Sequence, residues 1–240
     1  MTHFLDAYHC KEGDTIYFTK QQGSRFAKEI ADDFNPLHDP DNKLFCVPGD
    51  LLFSLALSRY GLSEKMRFAF TGMISANLRL RFQEPEPGAT AIIDADDKTY
   101  LTVEHSGSGL KDQQIIEQFS RAYVAFSGHN FPDLLVPLMA DNQVMINPQR
   151  PIAIYDSMEI EIDHITQVTA PMLTYTAGHL EVKGKKGDVR LEFDINSNGR
   201  TIGKGIKYMS LRGLKPYDQV QVDQMVESYN SHKQEYTADR

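Results

Sequence analysis

The sequence has no tryptophan, only two cysteines and a deficit of positive charge. Cys10 and Cys46 have neither the spacing of a metal knuckle nor that of a redox pair, so we expect free thiols. Lys and Arg together number 25 against 33 for Asp and Glu, which gives a formal net charge of -8. A protein that neutralises a phosphate backbone needs a clustered basic surface, so nucleic acid is not expected as a partner.

Long apolar runs are also missing. No stretch approaches the roughly 20 apolar residues that cross a bilayer, and no basic region followed by an apolar one opens the chain. We therefore expect no membrane insertion and no export, and we place the protein in the cytoplasm. The composition that remains is that of a globular chain of 240 residues, with 41% hydrophobic and 24% charged residues. We expect a packed core.

The hydrophobic pattern predicts helices and antiparallel strands in an order that repeats. A helix is predicted at 24–32 after a Ser24 cap, and the run at 50–62 is apolar almost all round, as in a deeply buried helix. The second half has a short helical candidate at 131–139, and a terminal amphipathic helix is predicted around 222–229. Alternating polarity predicts strands at 74–82, 89–95, 100–105, 115–126, 152–165, 173–182, 189–195 and 201–211.

Asp33 and His38 form the likeliest chemical centre that the residues themselves indicate. They stand five positions apart across an Asn-Pro turn, which can bring a carboxylate and an imidazole to one small site. Asp33 is then a candidate general base, while His38 orients a water or returns a proton. The amide of Asn35 is a candidate for fixing either partner. The alternative is a helix-terminating turn with a surface histidine and no catalytic role.

The segment Val47-Pro48-Gly49-Asp50 opens the apolar run and is the second part of this candidate site. A glycine here lets its backbone N–H approach a ligand, and a helix amino terminus stabilises negative charge on a carbonyl oxygen. Gly49 is therefore the candidate oxyanion donor, with Asp50 and Phe53 as further substrate-binding candidates. Other histidines lack carboxylate or cysteine partners at ligand spacing, so no metal site is predicted.

The stretch Phe26 to His38, F-A-K-E-I-A-D-D-F-N-P-L-H, resembles the signature of (R)-specific enoyl-CoA hydratases and MaoC-like dehydratases. The aspartate and histidine of the family motif D-x-N-P-x-H are catalytic and fall on Asp33 and His38, and its asparagine falls on Asn35. The family's V-H-G-M segment is similar to residues 47–50, with Gly49 at the oxyanion-hole glycine. The resemblance covers about the first half of the chain.

This resemblance implies an α+β double hot dog, in which antiparallel sheets wrap on a central helix and the second unit is degenerate. We expect a hot-dog unit with the hydratase-like motif at 1–128, a degenerate second unit at 129–214 and a carboxyl-terminal helix at 215–240. The implied reaction is hydration of a trans-2-enoyl thioester, or the reverse dehydration, with no bound cofactor. Acyl-CoA or an acyl-carrier thioester is the implied partner, and a homodimer stays open.

Residues 48 and 50 depart from the hydratase pattern, because Pro48 and Asp50 replace its histidine and methionine. Asp50 either caps the apolar helix or projects into the site, where its charge would oppose an oxyanion. The loop between His38 and Gly49 also looks shorter than in the hydratases. Two other functions therefore remain alternatives: an acyl-thioester-binding protein without catalysis, and an acyl-CoA thioesterase.

Overall fold

The structure is a computed structural model that describes residues 4–84 and 87–238. These residues form six α-helices and twelve β-strands. The helices are α1 (Lys20–Glu29), α2 (Gly49–Tyr60), α3 (Gln113–Gly128), α4 (Asn130–Asp133), α5 (Leu135–Asp141) and α6 (Gln219–Ala238). The strands are β1 (Cys10–Glu12), β2 (Thr15–Tyr17), β3 (Leu62–Phe70), β4 (Leu80–Phe82), β5 (Ala89–Ile93), β6 (Thr99–Leu110), β7 (Val144–Met145), β8 (Ile152–Ile162), β9 (Pro171–Lys183), β10 (Lys186–Ser197), β11 (Arg200–Arg212) and β12 (Lys215–Pro216).

Ten of these strands form one continuous antiparallel sheet, in the order β1-β2-β4-β5-β6-β3-β8-β11-β10-β9. Strands of the two halves of the chain meet where β3 pairs with β8, from Lys65 opposite Glu161 to Ala69 opposite Ser157. The fold is therefore mixed α+β with a large antiparallel sheet, as predicted. Its division into two hot-dog units, with boundaries at 128 and 214, stays a prediction.

Helix α2 is buried because its sequence presents no polar face. Every residue from Asp50 to Leu57 is buried, and Gly61 ends the helix with a positive φ of 93° that suits glycine. The ring of Phe53 lies 4.8 Å from that of Phe68 on β3 and 4.5 Å from that of Tyr123 on α3, measured between centroids. Phe193 on β10 lies 6.0 Å from Tyr123, so one aromatic core joins both halves.

The predicted strand at 115–126 is wrong, because these residues lie in helix α3. Its buried positions Ile116, Phe119, Tyr123 and Val124 follow the helical spacing i, i+3, i+7 and i+8, which aromatic and β-branched content obscured. Asp112 begins the helix by accepting hydrogen bonds from two backbone N–H groups, those of Gln114 at 2.9 Å and Ile115 at 3.2 Å. Helix α3 packs against α2 and β9.

Other boundaries also differ from the sequence prediction. Helix α1 begins at Lys20 with Thr19 as its cap, since Thr19 and Gln22 form a reciprocal capping box that precedes the predicted Ser24 cap. In the stretch predicted as a strand at 74–82, only Leu80–Phe82 is a strand. The remaining predicted strands overlap β5, β6, β8, β9, β10 and β11, although β6 extends to Leu110 and β8 ends at Ile162. No helix of the described residues is long and apolar enough to cross a membrane.

Candidate functional site

A cavity of about 840 Å³ lies where the two halves of the chain meet. The loop 33–38 and the start of α2 line it from the first half, and β8, β11 and the end of α3 line it from the other sides. Much of the lining is apolar. The polar side chains that matter for its chemistry are Asp33, His38, Asp50, Ser127, Asn130 and Lys207.

Asp33 and His38 face each other at this cavity. The Nε2 atom of His38 lies 3.6 Å from Oδ2 of Asp33, and their side chains are 12% and 25% exposed. The Nδ1 atom of the ring lies 2.8 Å from the carbonyl oxygen of Cys46. Because a carbonyl oxygen only accepts, Nδ1 is the donor, and Nε2 is left for Asp33 and the cavity. The structure thus brings the two predicted side chains within reach of one water.

Asn35 acts through a different group from the one we expected. Its backbone N–H donates to Oδ1 of Asp33 at 2.9 Å, which leaves Oδ2 for His38. Its side-chain oxygen accepts from the backbone N–H of Leu37 at 3.1 Å and caps the 3₁₀ turn Pro36–His38. The side-chain amide therefore shapes the turn, while the backbone orients the carboxylate.

Helix α6 holds the same loop from the other side. The hydroxyl of Tyr229 donates to the carbonyl oxygen of Asp32 and accepts from the backbone N–H of Phe34, both at 3.2 Å. These two bonds bracket Asp33. Lys233 on the same helix also forms an ion pair with Asp32. The terminal helix predicted around 222–229 thus docks on the candidate site and contributes Tyr229 to the cavity lining.

Gly49 is the first residue of α2 and lines the cavity. A Cβ atom at this position would lie 3.1 Å from Cδ1 of Tyr155 and 3.3 Å from Cε1 of Phe70, so a larger residue would crowd both rings. Among the described residues, no protein group accepts a hydrogen bond from the Gly49 N–H. The first residue of this buried helix therefore combines an N–H group without a protein acceptor and a position at the cavity wall.

Asp50 does not cap α2, which corrects one of the two expectations for this residue. Pro48 holds the N-cap position without a side-chain cap bond, and Asp50 is already the second helical residue. The carboxyl group lines the cavity, the residue is 7% exposed, and its Oδ1 atom has no hydrogen-bond partner. Burial raises the pKa of Asp50, and the nearby charge of Lys207 and the Ser127 hydroxyl lower it in part.

Lys207 on β11 is the main polar residue that the sequence patterns did not reveal. It is 3% exposed, donates to the Ser127 hydroxyl, and places its Nζ atom 4.4 Å from the centre of the Tyr155 ring. Burial lowers the pKa of Lys207, while Asp50 and Asp33 raise it. The sequence could have indicated the burial of Lys207 through its position in a strand. Side chains alternate between the two faces of a strand, and Lys207 falls on the same buried face as Met209.

Two hydroxyl groups lie beside this lysine in the same cluster. The hydroxyls of Tyr123 and Tyr155 are hydrogen-bonded to each other, and burial raises the pKa of both. Phe53, by contrast, is fully buried in the aromatic core and does not line the cavity. Of the predicted site residues, the structure therefore brings together Asp33, Asn35, His38, Gly49 and Asp50, and it leaves Phe53 out.

Several proteins of solved structure are similar to this chain at low sequence identity. A solved acyl-CoA thioesterase II from Mycobacterium marinum is 8% identical with a TM-score of 0.45, over 87% of this chain and 96% of the other. A MaoC-like dehydratase is 9% identical with a TM-score of 0.44, over 86% and 98%. The peroxisomal multifunctional enzyme type 2 from Drosophila melanogaster is 11% identical with a TM-score of 0.44, over 83% and 48%.

These low identities and scores assign neither an activity nor a substrate to this chain. No curated protein matches its sequence. A family model described as "Protein of unknown function (DUF3581)" matches residues 3–220, which is most of the chain. The chain therefore belongs to the DUF3581 family.

Proposed function

We propose that this protein acts on an acyl thioester and adds water to a trans-2-enoyl group, or removes it in the reverse direction. The observation that carries the proposal is the 3.6 Å separation of Asp33 Oδ2 and His38 Nε2 at the edge of a large cavity. A free Gly49 N–H at the amino terminus of α2 lines the same cavity. A base, a histidine and an oxyanion donor therefore surround one space.

The reaction balances with these three groups. Asp33 accepts a proton from a water held against His38, and the water oxygen adds to C3 of the enoyl group. The C2–C3 π electrons move to the thioester carbonyl, and Gly49 N–H stabilises the enolate oxygen. Protonated His38 gives its proton to C2, and the proton on Asp33 then passes to His38. One water is added, and both side chains return to their starting state.

The cavity is large enough for an acyl chain. Its volume of about 840 Å³ lies within the usual range of roughly 300–1,000 Å³ for small-molecule sites. We infer that CoA or an acyl carrier presents the thioester from the solvent side of the Asp33 loop. We also retain the double hot dog as our interpretation of the fold, with the second unit supplying Tyr155 and Lys207 to the acyl pocket.

Asp50 favours a second candidate function, binding of an acyl thioester without catalysis. A carboxyl group immediately after Gly49 opposes negative charge on a nearby thioester oxygen if it is ionised. Burial and Lys207 both reduce that repulsion, the first by favouring the protonated acid and the second by offering a positive charge. The hydratase proposal therefore requires the charge of the Asp50 carboxyl group to be neutralised, by protonation or by the positive charge of Lys207.

The proposal is tested by incubating the purified protein with trans-2-enoyl-CoA substrates of short and medium chain length. We expect the absorbance of the conjugated enoyl thioester to fall without release of free CoA thiol. Thiol release without hydration would instead identify a thioesterase. Saturable binding with neither reaction would support the non-catalytic alternative, and absence of binding would contradict an acyl-CoA substrate.

A further inference from the structure

We propose that Lys207 binds an aldehyde or ketone covalently, as an imine on its Nζ atom, with the apolar part of the ligand in the cavity. The Lys207 amine takes no bond-making step in the proposed hydration. Neither Asp33 nor His38 takes part in imine formation, so this binding is independent of the hydration of an enoyl thioester.

Lys207 lies at the cavity wall close to the start of α2. Its Nζ atom is 4.4 Å from the centre of the Tyr155 ring, and a Cβ atom at Gly49 would lie 3.1 Å from Cδ1 of the same ring. The Tyr155 ring therefore contacts both the lysine and the first residue of α2. Gly49, Tyr155 and Lys207 all line the cavity. A ligand in this part of the cavity is thus beside the amine.

The surroundings of Lys207 favour release of its proton. Lysine side chains are seldom buried unless a carboxylate pairs with them. Lys207 is 3% exposed, and within residues 4–84 and 87–238 no carboxylate oxygen lies within 4.0 Å of its Nζ atom. Burial lowers the pKa of Lys207, while the charges of Asp50 and Asp33 raise it. A desolvated lysine yields the neutral amine more readily, and the neutral amine is the nucleophile.

A path for protons leads from this amine to a carboxyl group. Lys207 donates to the Ser127 hydroxyl, which also interacts with the Asp50 carboxyl group. Oδ1 of Asp50 is buried and has no partner among the side chains that the structure describes. The Asp50 carboxylate can therefore take a proton from Lys207 through Ser127 and return it later. Imine formation needs both transfers, because the amine must lose a proton before it attacks and the departing hydroxyl group must gain one.

The covalent step balances in atoms and charge. Lys207 passes a proton to Asp50, and the Nζ lone pair forms a bond to the carbonyl carbon while the C=O π pair moves to oxygen. Transfer of a proton from nitrogen to that oxygen gives a carbinolamine. Asp50 returns its proton to the hydroxyl group, the C–O bond breaks, and water leaves as the C=N bond forms. The product is a protonated imine, so the positive charge of Lys207 is retained.

The cavity selects an uncharged carbonyl compound with an aliphatic chain. Its volume of about 840 Å³ lies within the usual range for small-molecule sites, and its apolar lining includes Leu52, Phe70 and Ile152. A charged chain would lose its hydration against this lining. We therefore expect aliphatic aldehydes to bind, and octanal is a suitable probe.

Imine formation is measured by incubating the full-length protein at neutral pH with octanal and sodium cyanoborohydride, which reduces an imine much faster than a free aldehyde. Each reduced imine leaves an octyl group on one lysine, and mass spectrometry of proteolytic peptides gives the rate at each position. We expect the rate at Lys207 to saturate with octanal concentration. It should exceed the rate at Lys98 about tenfold, since each unit by which a lysine pKa falls raises the neutral fraction by about that factor.

Lys98 is the matched control within the same chain. Its Nζ atom lies 4.8 Å from the centre of the Tyr100 ring, but the residue is exposed and does not line the cavity. Lys98 therefore shares the ring contact of Lys207 and lacks its burial. Lys207→Met should abolish the saturable labelling, and Lys98→Met should keep it. Both rates are also measured in the wild type, so the comparison decides even if Lys207→Met does not fold.

The results separate this inference from the proposed function. Labelling of Lys207 no faster than that of Lys98 would overturn the inference, whether or not the protein hydrates enoyl-CoA. A rate at Lys207 that rises linearly with octanal concentration would also overturn it, because binding in the cavity must saturate. Fast, saturable labelling of Lys207 in a protein that does not hydrate enoyl-CoA would support the imine and contradict the hydration proposal alone.

Discussion

The Asp50 and Lys207 side chains should stabilise the fold as a coupled pair. Both are buried, and burial shifts the pKa of each toward its neutral form, while each charge opposes the shift of the other. We expect Asp50→Asn and Lys207→Met each to leave the remaining group buried without its opposite charge. The double variant removes both charges and should regain much of the loss, because a buried ion pair is often replaceable by neutral groups.

The size of the coupling follows from Coulomb's law. Within residues 4–84 and 87–238, no ion pair of 4.0 Å or less joins these two side chains. Two unit charges at about 4 Å attract by about 4 kcal/mol at an effective dielectric constant near 20, which sets an upper bound. We therefore expect a coupling free energy of about 1–3 kcal/mol, within the range found for contacting residues.

The coupling is measured by urea unfolding of the wild type, both single variants and the double variant at neutral pH. Lys65 and Glu161 form the control cycle, since their 2.9 Å ion pair joins side chains that are 65% and 45% exposed and should couple weakly. Additive effects at Asp50 and Lys207 would refute the reasoning. A coupling no larger than that of the exposed pair would do the same.

Three other perturbations give sharp expectations. Gly49→Ala should lower turnover at least tenfold, because its Cβ would crowd Tyr155 and Phe70, and wild-type turnover would contradict this. Tyr229→Phe removes both hydrogen bonds that bracket Asp33, so kcat should fall about tenfold with little change in KM. A tenfold rise in KM would instead argue for a purely structural role of Tyr229. The pKa of Asp50 is raised in the folded state, so above pH 3.8 the native state holds a proton that the unfolded state has lost. The unfolding free energy of the wild type, relative to that of Asp50→Asn, should therefore fall as pH rises from 3.8 through the raised pKa. A difference that stays constant over this range in acid-to-neutral urea titrations would contradict the assigned shift.

The parts of the structure that the sequence predicted correctly depend on local patterns. The apolar run of α2 and the short spacing from Asp33 to His38 are both readable without tertiary contacts. Helix α3 was predicted as a strand because Phe119, Tyr123 and Val124 are of residue types that favour strands. Its helical spacing was the better signal.

The cavity could not be predicted in the same way, because it joins residues distant in the chain. Lys207 reaches Ser127 across 80 positions, and its alternation along β11 shows burial without showing a partner. The position of the Asp50 side chain depended on a shift of two residues in the helix boundary. With Pro48 at the cap, the Asp50 side chain turns to the cavity, whereas a start two residues later would have made it the cap.

The role of Asp33 as the group that activates water is tested most directly by enoyl-CoA hydration kinetics of Asp33→Asn beside Asp39→Asn. Asp39 is the matched control, because it lies on the same loop, pairs with Lys28 at 2.8 Å and does not line the cavity. We predict that Asp33→Asn lowers kcat by about 10²–10⁴ with unchanged thermal unfolding, while Asp39→Asn keeps wild-type activity. Hydration by Asp33→Asn at the wild-type rate would contradict the proposed mechanism.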